Sequence, residues 1–259
     1  MSRERVPTVG TRPADGHDGV SHVNKSQDLQ ERRSELRDCV QQALSAGSLS
    51  LLQPLLEQQH PTDLAEVLGL LDDVDRQTVL GHLSEAATAQ VVAELDPSAV
   101  RGVAEGLDDE RFADLVEQMD PDDAADVLGD LSDEQSEKVL EHMEQDGARE
   151  VRALLTYDEH TAGGIMTSRL VSCSQTDTVA DAVNRLRSWS EQEEEIHYLY
   201  VVDDEQRLLG TVPLKRLVVA AADSSLSHIT SRDPIVVHTG ADQEEIAQLF
   251  TEYGLVALP

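Results

Sequence analysis

A large apolar residue recurs at every twelfth position through the first half of the chain. These residues are Leu71, Leu83, Leu95, Leu107, Met119, Leu131, Met143 and Leu155. Apolar pairs precede most of them by about one turn, which gives the i, i+3, i+4 stripe of an amphipathic helix. Each unit therefore predicts a helix of about two turns, which is too short to be stable alone. Stacking of the units would bury the stripe, so the pattern predicts an all-α superhelical domain of short-helix repeats.

Helix-start signals support this interpretation and help to set the domain limits. Asp or Ser, both good N-cap residues, follow most of the apolar landmarks. Residues 1–27, rich in Gly, Pro, Asp, His and Arg, indicate a disordered tail. Two helices are predicted next, at Leu29–Leu44 and Leu49–Gln59. We expect the helical domain to cover residues 28–156 and a linker to cover residues 157–168.

After the linker, β-branched runs alternate with helical segments. In chain order they are the strand RLVSCS, the helix TVADAVNRLRSWS, the strands IHYLYVVD and RLLGTVPL, the short helix KRLVVAA, the strand PIVVHT and the helix DQEEIAQLFTEYG. The last two repeat the first two at an offset of 64 residues, which places Asp181 on Glu245. The sequence thus predicts an α domain followed by α/β units of β-α-β-β-α order, one complete over 169–225 and one partial over 226–259.

Composition and motifs exclude several functions. The chain has 51 acidic and 20 basic residues, a formal net charge of −31, so it should repel nucleic acid and attract cations. The longest apolar run, LVVAAA from Leu217, is far shorter than the ~18–20 residues that span a bilayer. The N-terminus lacks the apolar region of a secretory signal. No nucleophile–base constellation, P-loop or dinucleotide loop is present, so we expect no enzymatic activity.

The densest acidic stretch is the unit DPDDAADVLGDL, which starts at Asp120. Acids in the first helical turn complement the helix dipole, which accounts for Asp122 and Asp123. Asp126 and Asp130 have no such explanation, and Asp122 with Asp126 forms an i, i+4 like-charge pair that is mildly destabilising. Either solvent or a bound cation must offset this repulsion.

Taken together, these parts resemble the cytosolic region of the MgtE-type magnesium channels. The resemblance rests on HPTDLAEVL from His60, TAGGIMT from Thr161 and the strand pair YVVD…LLGTV, and it covers about residues 30–259. It implies that the β-α-β-β-α units are cystathionine-β-synthase-type (CBS) domains and that the cation is Mg²⁺. It also implies a Mg²⁺ sensor, in which bridging ions close the acidic superhelix onto the CBS domains and hold the channel pore shut.

The resemblance further implies a set of Mg²⁺ ligands. They are Asp122, Asp126, Gly164, Asp242, Glu244 and Thr251. The first two match the superhelix ligands of the family, and the glycine matches a residue at the interdomain site. The next two match acids of the second CBS unit, and the threonine matches a position that contributes its backbone carbonyl. Gln90 and Gly254 stand where the family can have a glutamate and an aspartate, so individual ions should be weakened or lost.

Partners and location follow from the same resemblance. It implies a place on the cytoplasmic side of the cell membrane, with this chain alone soluble and cytoplasmic, and a transmembrane pore domain that is missing from this sequence. The family pairs two chains through their CBS domains. Because the second unit stops at Pro259, we expect this homodimer to be weakened.

Two alternatives stay open. CBS domains often bind adenine nucleotides, so the chain could be a nucleotide-binding regulatory module with the helical domain as a protein-binding scaffold. Tyr198 could stack on adenine or serve only packing. The usual GxxS/TxxD string has Pro213 and Arg216 at its polar positions, which provide no hydroxyl and no acceptor for ribose. The second alternative is that the acidity, with its few lysines, is a halophilic adaptation.

Overall fold

A computed structural model describes residues 18–47, 53–56, 58–189 and 196–259. The helices are α1 (Asp18–Ala46), α2 (Gln53–Leu56), α3 (Pro61–Gly69), α4 (Asp73–Leu80), α5 (Glu85–Ala93), α6 (Pro97–Gly106), α7 (Asp109–Val116), α8 (Pro121–Gly129), α9 (Asp133–His142), α10 (Gln145–Leu154), α11 (Val179–Trp189), α12 (Leu214–Val219) and α13 (Gln243–Tyr253). The strands are β1 (Ser172–Ser174), β2 (Tyr198–Val202) and β3 (Leu208–Pro213). Within the described ranges, no helix has the length and apolar character needed to cross a membrane.

The repeat predicted from the apolar landmarks is confirmed. Helices α3 to α10 begin at intervals of twelve residues, from Pro61 to Gln145. Each buries its stripe, as Val127 and Leu128 of α8 show, with exposed fractions of 2% and 1%. Helices two units apart pack together, for example α7 with α9 and α8 with α10. One continuous core therefore runs through the stack and offsets the marginal stability of each short helix.

N-capping fixes where most of these helices begin. Five N-cap side chains accept a hydrogen bond from a backbone N–H of the first turn: Asp72, Ser84, Asp96, Asp108 and Ser132. Asp120 and Glu144 occupy N-cap positions without such a bond. The caps satisfy donors that have no partner within the helix, so the register of the repeat is encoded locally.

The first helix begins earlier than the sequence predicts. α1 starts at Asp18, so residues 18–27, predicted as part of a disordered tail, are helical, while residues 1–17 lie outside the described chain. The stretch 18–27 contains only two valines and no apolar periodicity, which is why the pattern gave no helix signal. Of the predicted helix Leu49–Gln59, Gln53–Leu56 is helical, residues 58–59 form a turn, and the other positions lie outside the described residues.

The second half of the chain contains the β-α-β-β-α order that the sequence predicts. β1 pairs parallel with β2 and β2 pairs antiparallel with β3, with Ser172 opposite Tyr200 and Tyr200 opposite Thr211. The parallel pair is connected through α11, and α12 follows β3. Leu199, Val212 and other inward residues form a separate small core.

The internal duplication is visible in the helices and incomplete in the strands. Adding 64 to the bounds of α11 gives Gln243–Tyr253, the bounds of α13. The strand predicted for PIVVHT, residues 234–239, is not formed. A strand needs a continuous ladder with a neighbour, and this segment makes isolated bonds such as the one from the Val237 N–H to the Pro259 carbonyl. The prediction of a strand there was wrong for this reason.

Candidate functional site: an acidic cleft between the helical domain and its linker

A cleft of about 370 Å³ separates α8 from the segment that follows α10. Asp122, Asp126 and Asp130 line one side, spaced four residues apart along one face of α8. Glu159, His160 and Gly164 of the linker line the other side, and Leu154, Leu155 and Met166 add apolar surface. Four carboxylates therefore share one small concavity.

The following repeat shows that the architecture does not require an acid pair at these places, although the preceding repeat also has one in Glu110 and Asp114. Twelve residues after Asp122 and Asp126, at the same places in the repeat, Glu134 and Lys138 of α9 form an ion pair at 2.8 Å. An acid followed by a base at i, i+4 stabilises a helix, whereas two acids destabilise it by a similar amount, about 0.2–0.5 kcal/mol. The repeat architecture thus accepts a base at this position, and α8 has an acid instead.

The electrostatics of the cleft favour protons or cations. Partial burial raises the pKa of Asp126, and the charges of Asp122, Asp130 and Glu159 raise it further. Burial likewise raises the pKa of Asp122 and of Asp130. Carboxylates with raised pKa values are held in their charged form at a cost, which a bound cation would relieve.

Asp123, next to the cleft stripe, shows the largest of these shifts. Desolvation, followed by the charges of Asp122, Asp120 and Asp126, raises the pKa of Asp123 to about 6. Its side chain nevertheless stays exposed to solvent, so water and salt screen the repulsion and the shift should shrink as salt is added.

The adjacent glycines of TAGG allow the linker to turn tightly beside the cleft. A Cβ atom on Gly164 would lie 2.3 Å from the carbonyl oxygen of Asp158, and one on Gly163 would lie 2.3 Å from the Tyr157 ring. The turn is closed by the Thr161 hydroxyl, which donates to the Asp158 carbonyl at 2.7 Å. The linker conformation therefore requires glycine at position 164, where the obstacle is backbone.

The linker is attached to the loop that precedes α13. The N–H groups of Ala162 and Gly163 donate to the carbonyls of Ala241 and Thr239, both at 2.8 Å, and the Gln243 N–H donates to the His160 carbonyl at 3.0 Å. These bonds attach the partial second unit, residues 226–259, to the linker. Any movement of the linker against α8 must therefore carry that segment with it.

Thr167 of the linker and Arg169, just after it, also contact the start of α8. The Thr167 hydroxyl donates to the Asp122 carboxylate at 3.2 Å, and the Arg169 guanidinium forms an ion pair with Asp120 at 2.5 Å. Sequence reasoning missed both contacts, and it also missed Glu159 and His160 as cleft residues; it noted Asp130 as an unexplained acid but did not name it among the ligands. The i+4 spacing of Asp130 from Asp126 was the one available signal.

The predicted Mg²⁺ ligands fall into two groups. The cleft brings together Asp122, Asp126 and Gly164. Asp242, Glu244 and Thr251 belong to α13 and its cap, are exposed, and do not line the cleft. Asp242 is the N-cap of α13 and accepts from the Glu244 N–H at 2.8 Å, and the Thr251 hydroxyl donates to the Ala247 carbonyl at 2.9 Å.

The oxygen donors in the cleft suit a hydrated Mg²⁺ ion better than a metal ion that is coordinated entirely by protein side chains. In the described part of the chain, no group of three His, Cys, Asp or Glu side chains is arranged to hold a metal directly. Mg²⁺ keeps several of its waters and uses few carboxylates, so separated oxygens across a hydrated cleft fit it. Carboxylates and carbonyls are also the ligand class that Mg²⁺ prefers.

A second, largely apolar cavity of about 690 Å³ lies beside the sheet. Tyr198 and Tyr200 of β2 line it together with Trp189, Phe250 and the C-terminal Pro259. Arg216 of α12 lies outside the lining of this cavity. Its guanidinium donates to the Ser231 hydroxyl at 2.9 Å and to the Ile229 carbonyl at 3.3 Å. Arg216 thus holds the following loop, and Tyr198 is half-buried at the cavity wall.

Family models match most of the region described above. The model of the MgtE intracellular N domain matches residues 59–160, and that of the CBS domain matches residues 162–223. The magnesium transporter MgtE of Thermus thermophilus is 33% identical over 223 residues, which is 85% of this chain and 50% of that protein. The Enterococcus faecalis transporter of the same name is 39% identical over 110 residues, 42% of this chain and 24% of that protein. The chain thus spans about half the length of the Thermus relative.

Solved structures give the same result at the level of the fold. A structure of the cytosolic domain of the Mg²⁺ channel MgtE in complex with ATP superimposes with a TM-score of 0.80, at 32% identity, over 86% of this chain and 91% of that one. The soluble part of a magnesium transporter superimposes with a TM-score of 0.78, at 29% identity, over 88% and 90% of the two chains. The chain therefore belongs to the MgtE family of magnesium transporters, and it contains that family's intracellular N domain followed by a CBS domain.

Proposed function

We propose that this chain is the cytosolic Mg²⁺-sensing regulatory region of an MgtE-type magnesium transporter. In this proposal Mg²⁺ holds the helical domain against the linker and the CBS region, and its loss lets them separate and so permits transport. The region would act on the cytoplasmic side of a membrane pore and as part of a homodimer. It would have no enzymatic activity of its own.

The observation that carries this proposal is the sharing of one cleft by carboxylates from two segments. Asp122, Asp126 and Asp130 belong to the helical stack, whereas Glu159 belongs to the linker. Their charges oppose closure, as the raised pKa of Asp126 beside Glu159 indicates. A divalent cation between them would turn this repulsion into attraction, which gives the ion the differential affinity for the closed state that any ligand-driven switch requires.

The remaining candidate residues define how closure would be transmitted. Gly164 allows the tight turn of the linker, and the linker is hydrogen-bonded to the loop before α13 through Ala162 and Gly163. Asp242, Glu244 and Thr251 would supply a second group of oxygens on α13. We propose that they respond to Mg²⁺ after the cleft closes, since they lie outside it in this structure.

A pair of matched variants tests the proposal directly. Chymotrypsin cleaves after Tyr157, which is exposed at the cleft, so the cleavage rate at this site reports linker docking. Millimolar MgCl₂ should slow cleavage in the native chain. Asp122→Asn with Asp126→Asn should remove most of this protection, because the carboxylates of α8 that would hold the ion are gone.

The control uses the same places in the preceding repeat. Glu110 and Asp114 of α7 are an exposed i, i+4 acid pair that does not line the cleft. Glu110→Gln with Asp114→Asn changes the net charge equally and should leave Mg²⁺ protection intact. Equal loss in both double variants would show a general charge effect, and the sensing proposal would then be abandoned.

The apolar cavity supports a second candidate function, the binding of an adenine nucleotide. It is large enough for a base and ribose, Tyr198 lines it, and aromatic faces stack readily on bases. One similar structure was solved in complex with ATP. Against it, Pro213 has no hydroxyl and Arg216 is engaged with Ser231, so ribose recognition must use other groups or fail.

Calorimetry with ATP and AMP separates these outcomes. We expect weak binding or none, and Tyr198→Ala should abolish whatever binding is present. Tight binding that survives Tyr198→Ala would place the nucleotide elsewhere on the chain. Tight binding that is lost in this variant would establish the nucleotide-binding function and show that the GxxS/TxxD string is dispensable here.

A further inference from the structure

One N-cap residue of the repeat departs from the others of its type. Asp72, Asp96 and Asp108 all use their carboxylates to cap their own helices. Asp120 occupies the same position before α8 but makes no capping hydrogen bond. Proline at the next position is not the cause, because Asp96 also precedes a proline and still caps through the N–H groups of the following residues.

The Asp120 carboxylate is directed to the linker instead. The Arg169 guanidinium contacts it at 2.5 Å, and both side chains are about one-third exposed, 32% for the arginine and 37% for the aspartate. Beside this ion pair, the Thr167 hydroxyl donates to Asp122 and also accepts from the Arg169 N–H at 3.1 Å. Thr167 of the linker and Arg169, just after it, thus hold the start of α8 at Asp120 and Asp122.

We propose that Arg169 is a positioning residue for the linker, forming with Asp120 a metal-independent latch that sets how much Mg²⁺ is needed to close the cleft. The guanidinium is a covalently attached cation that already neutralises Asp120, two residues before the acidic stripe begins at Asp122. The latch keeps the linker partly docked when Mg²⁺ is scarce. The effect of the latch on the Mg²⁺ requirement rests on the proposed sensing function, whereas the docking of the linker by the ion pair does not.

Two effects of Arg169 on Mg²⁺ have opposite signs. As a positive charge near Asp122 it repels a second cation, and as a latch it populates the closed state that Mg²⁺ binds. The latch is the larger effect, because the guanidinium contacts Asp120 directly at 2.5 Å and Asp120 is not among the proposed Mg²⁺ ligands. A ligand's apparent affinity falls in proportion to the fraction of competent state, so loss of the latch should raise the Mg²⁺ requirement.

Arg169→Gln tests the inference in the full chain, with Arg185→Gln as control. Arg185 carries the same charge but pairs with Asp177 at 3.5 Å on the surface of the CBS-like region, and neither residue lines the cleft. Hydrogen exchange of residues 165–171 and chymotryptic cleavage after Tyr157 are followed first in EDTA and then across a MgCl₂ titration. We expect exchange in EDTA to speed up about two- to fivefold for Arg169→Gln, the range of a partly exposed ion pair, with no change for Arg185→Gln.

The Mg²⁺ midpoint of Arg169→Gln should rise by a similar factor, while saturating Mg²⁺ still protects the linker. Arg169→Lys should restore part of the linker protection in EDTA and of the native Mg²⁺ midpoint. The charge-swapped double variant, Asp120→Arg with Arg169→Asp, should restore more of both. Unchanged exchange in EDTA would overturn the latch, and so would a lowered midpoint, since Arg169 would then act as a competing charge. If Mg²⁺ protects neither chain, the sensing function fails, and the EDTA comparison still decides the latch.

Discussion

The Thr167 hydroxyl donates a hydrogen bond to the Asp122 carboxylate at 3.2 Å, across 45 residues of sequence. This contact joins the linker to the acidic helix at one of the residues proposed to hold Mg²⁺. It lowers the pKa of Asp122, opposing the larger effect of burial, which raises it. The carboxylate is thus held in place while its charge remains only partly compensated, which is the condition for a response to added cations.

Gly164 should be essential for linker docking. An alanine there would place its Cβ 2.3 Å from the Asp158 carbonyl, which is backbone and cannot rotate away. Gly164→Ala should therefore loosen residues 157–166 in hydrogen exchange and weaken the Mg²⁺ response. Gly240→Ala is the matched control, because a Cβ at position 240 meets nothing within 4 Å. Equal behaviour of the two variants would contradict the described turn.

Stability should increase as the pH is lowered from neutral through about 6. Asp122, Asp123, Asp126 and Asp130 have raised pKa values in the folded chain, so the folded state binds protons more tightly than the unfolded state. By linkage, the free energy of unfolding rises as these groups protonate. Urea denaturation at about pH 7 and about pH 5.5 measures this directly, and Asp123→Asn should flatten the dependence.

The gain in stability on acidification should end at low pH. Hydrogen bonds from Ser98 and the backbone lower the pKa of the capping residue Asp96, so its contribution is present above the ordinary aspartate pKa and is lost as pH falls below about 4. Maximum stability is therefore expected on the acidic side of neutrality. Mg²⁺ should also stabilise less at about pH 5.5 than at about pH 7, since protons compete for the cleft carboxylates. A stability that rises steadily up to neutral pH would contradict the repulsion described for the cleft.

Capping makes a separate prediction about the helical stack. Asp108 accepts from the Arg111 N–H at 2.9 Å, so Asp108→Ala should lower the free energy of unfolding by about 1 kcal/mol, within the usual range of 0.5–2. Glu144 stands at an N-cap position without a capping bond, so Glu144→Ala should cost clearly less. Chemical denaturation of the two variants compares them on one scale, and the reverse order would show that the described caps do not stabilise the repeat.

The two cysteines should differ in reactivity. Cys39 lies exposed on α1, while Cys173 of β1 is buried at 1% exposure, where burial raises the pKa of its thiol. Because the thiolate is the reactive form, a thiol reagent should modify Cys39 quickly and Cys173 only when the small core around β1 opens. Rapid modification of both in the native chain would show that this small core is not formed as described.

The sequence was most informative where the determinants are local. The short helices of the twelve-residue repeat follow from N-caps such as Ser84 and from apolar stripes, which act within one unit. The partners of the acidic stripe could not be predicted in the same way, because Glu159 and Arg169 reach α8 through tertiary packing. PIVVHT shows that a local signal can also be insufficient. A sequence with strong β propensity forms a strand only where a neighbouring strand is available.

The central claim is tested most directly by comparing Mg²⁺ with monovalent salt. NaCl screens all charges alike, whereas a bridging divalent ion acts only where carboxylates of two segments converge. The radius of gyration from X-ray scattering and the hydrogen exchange of residues 157–166 are measured in millimolar MgCl₂ and in NaCl of the same ionic strength. We predict that MgCl₂ compacts the chain and protects the linker beyond the NaCl effect, and that Asp122→Asn with Asp126→Asn removes this difference. Equal compaction and protection by the two salts would show that the acidic stripe is only a solvated surface, and would contradict the account.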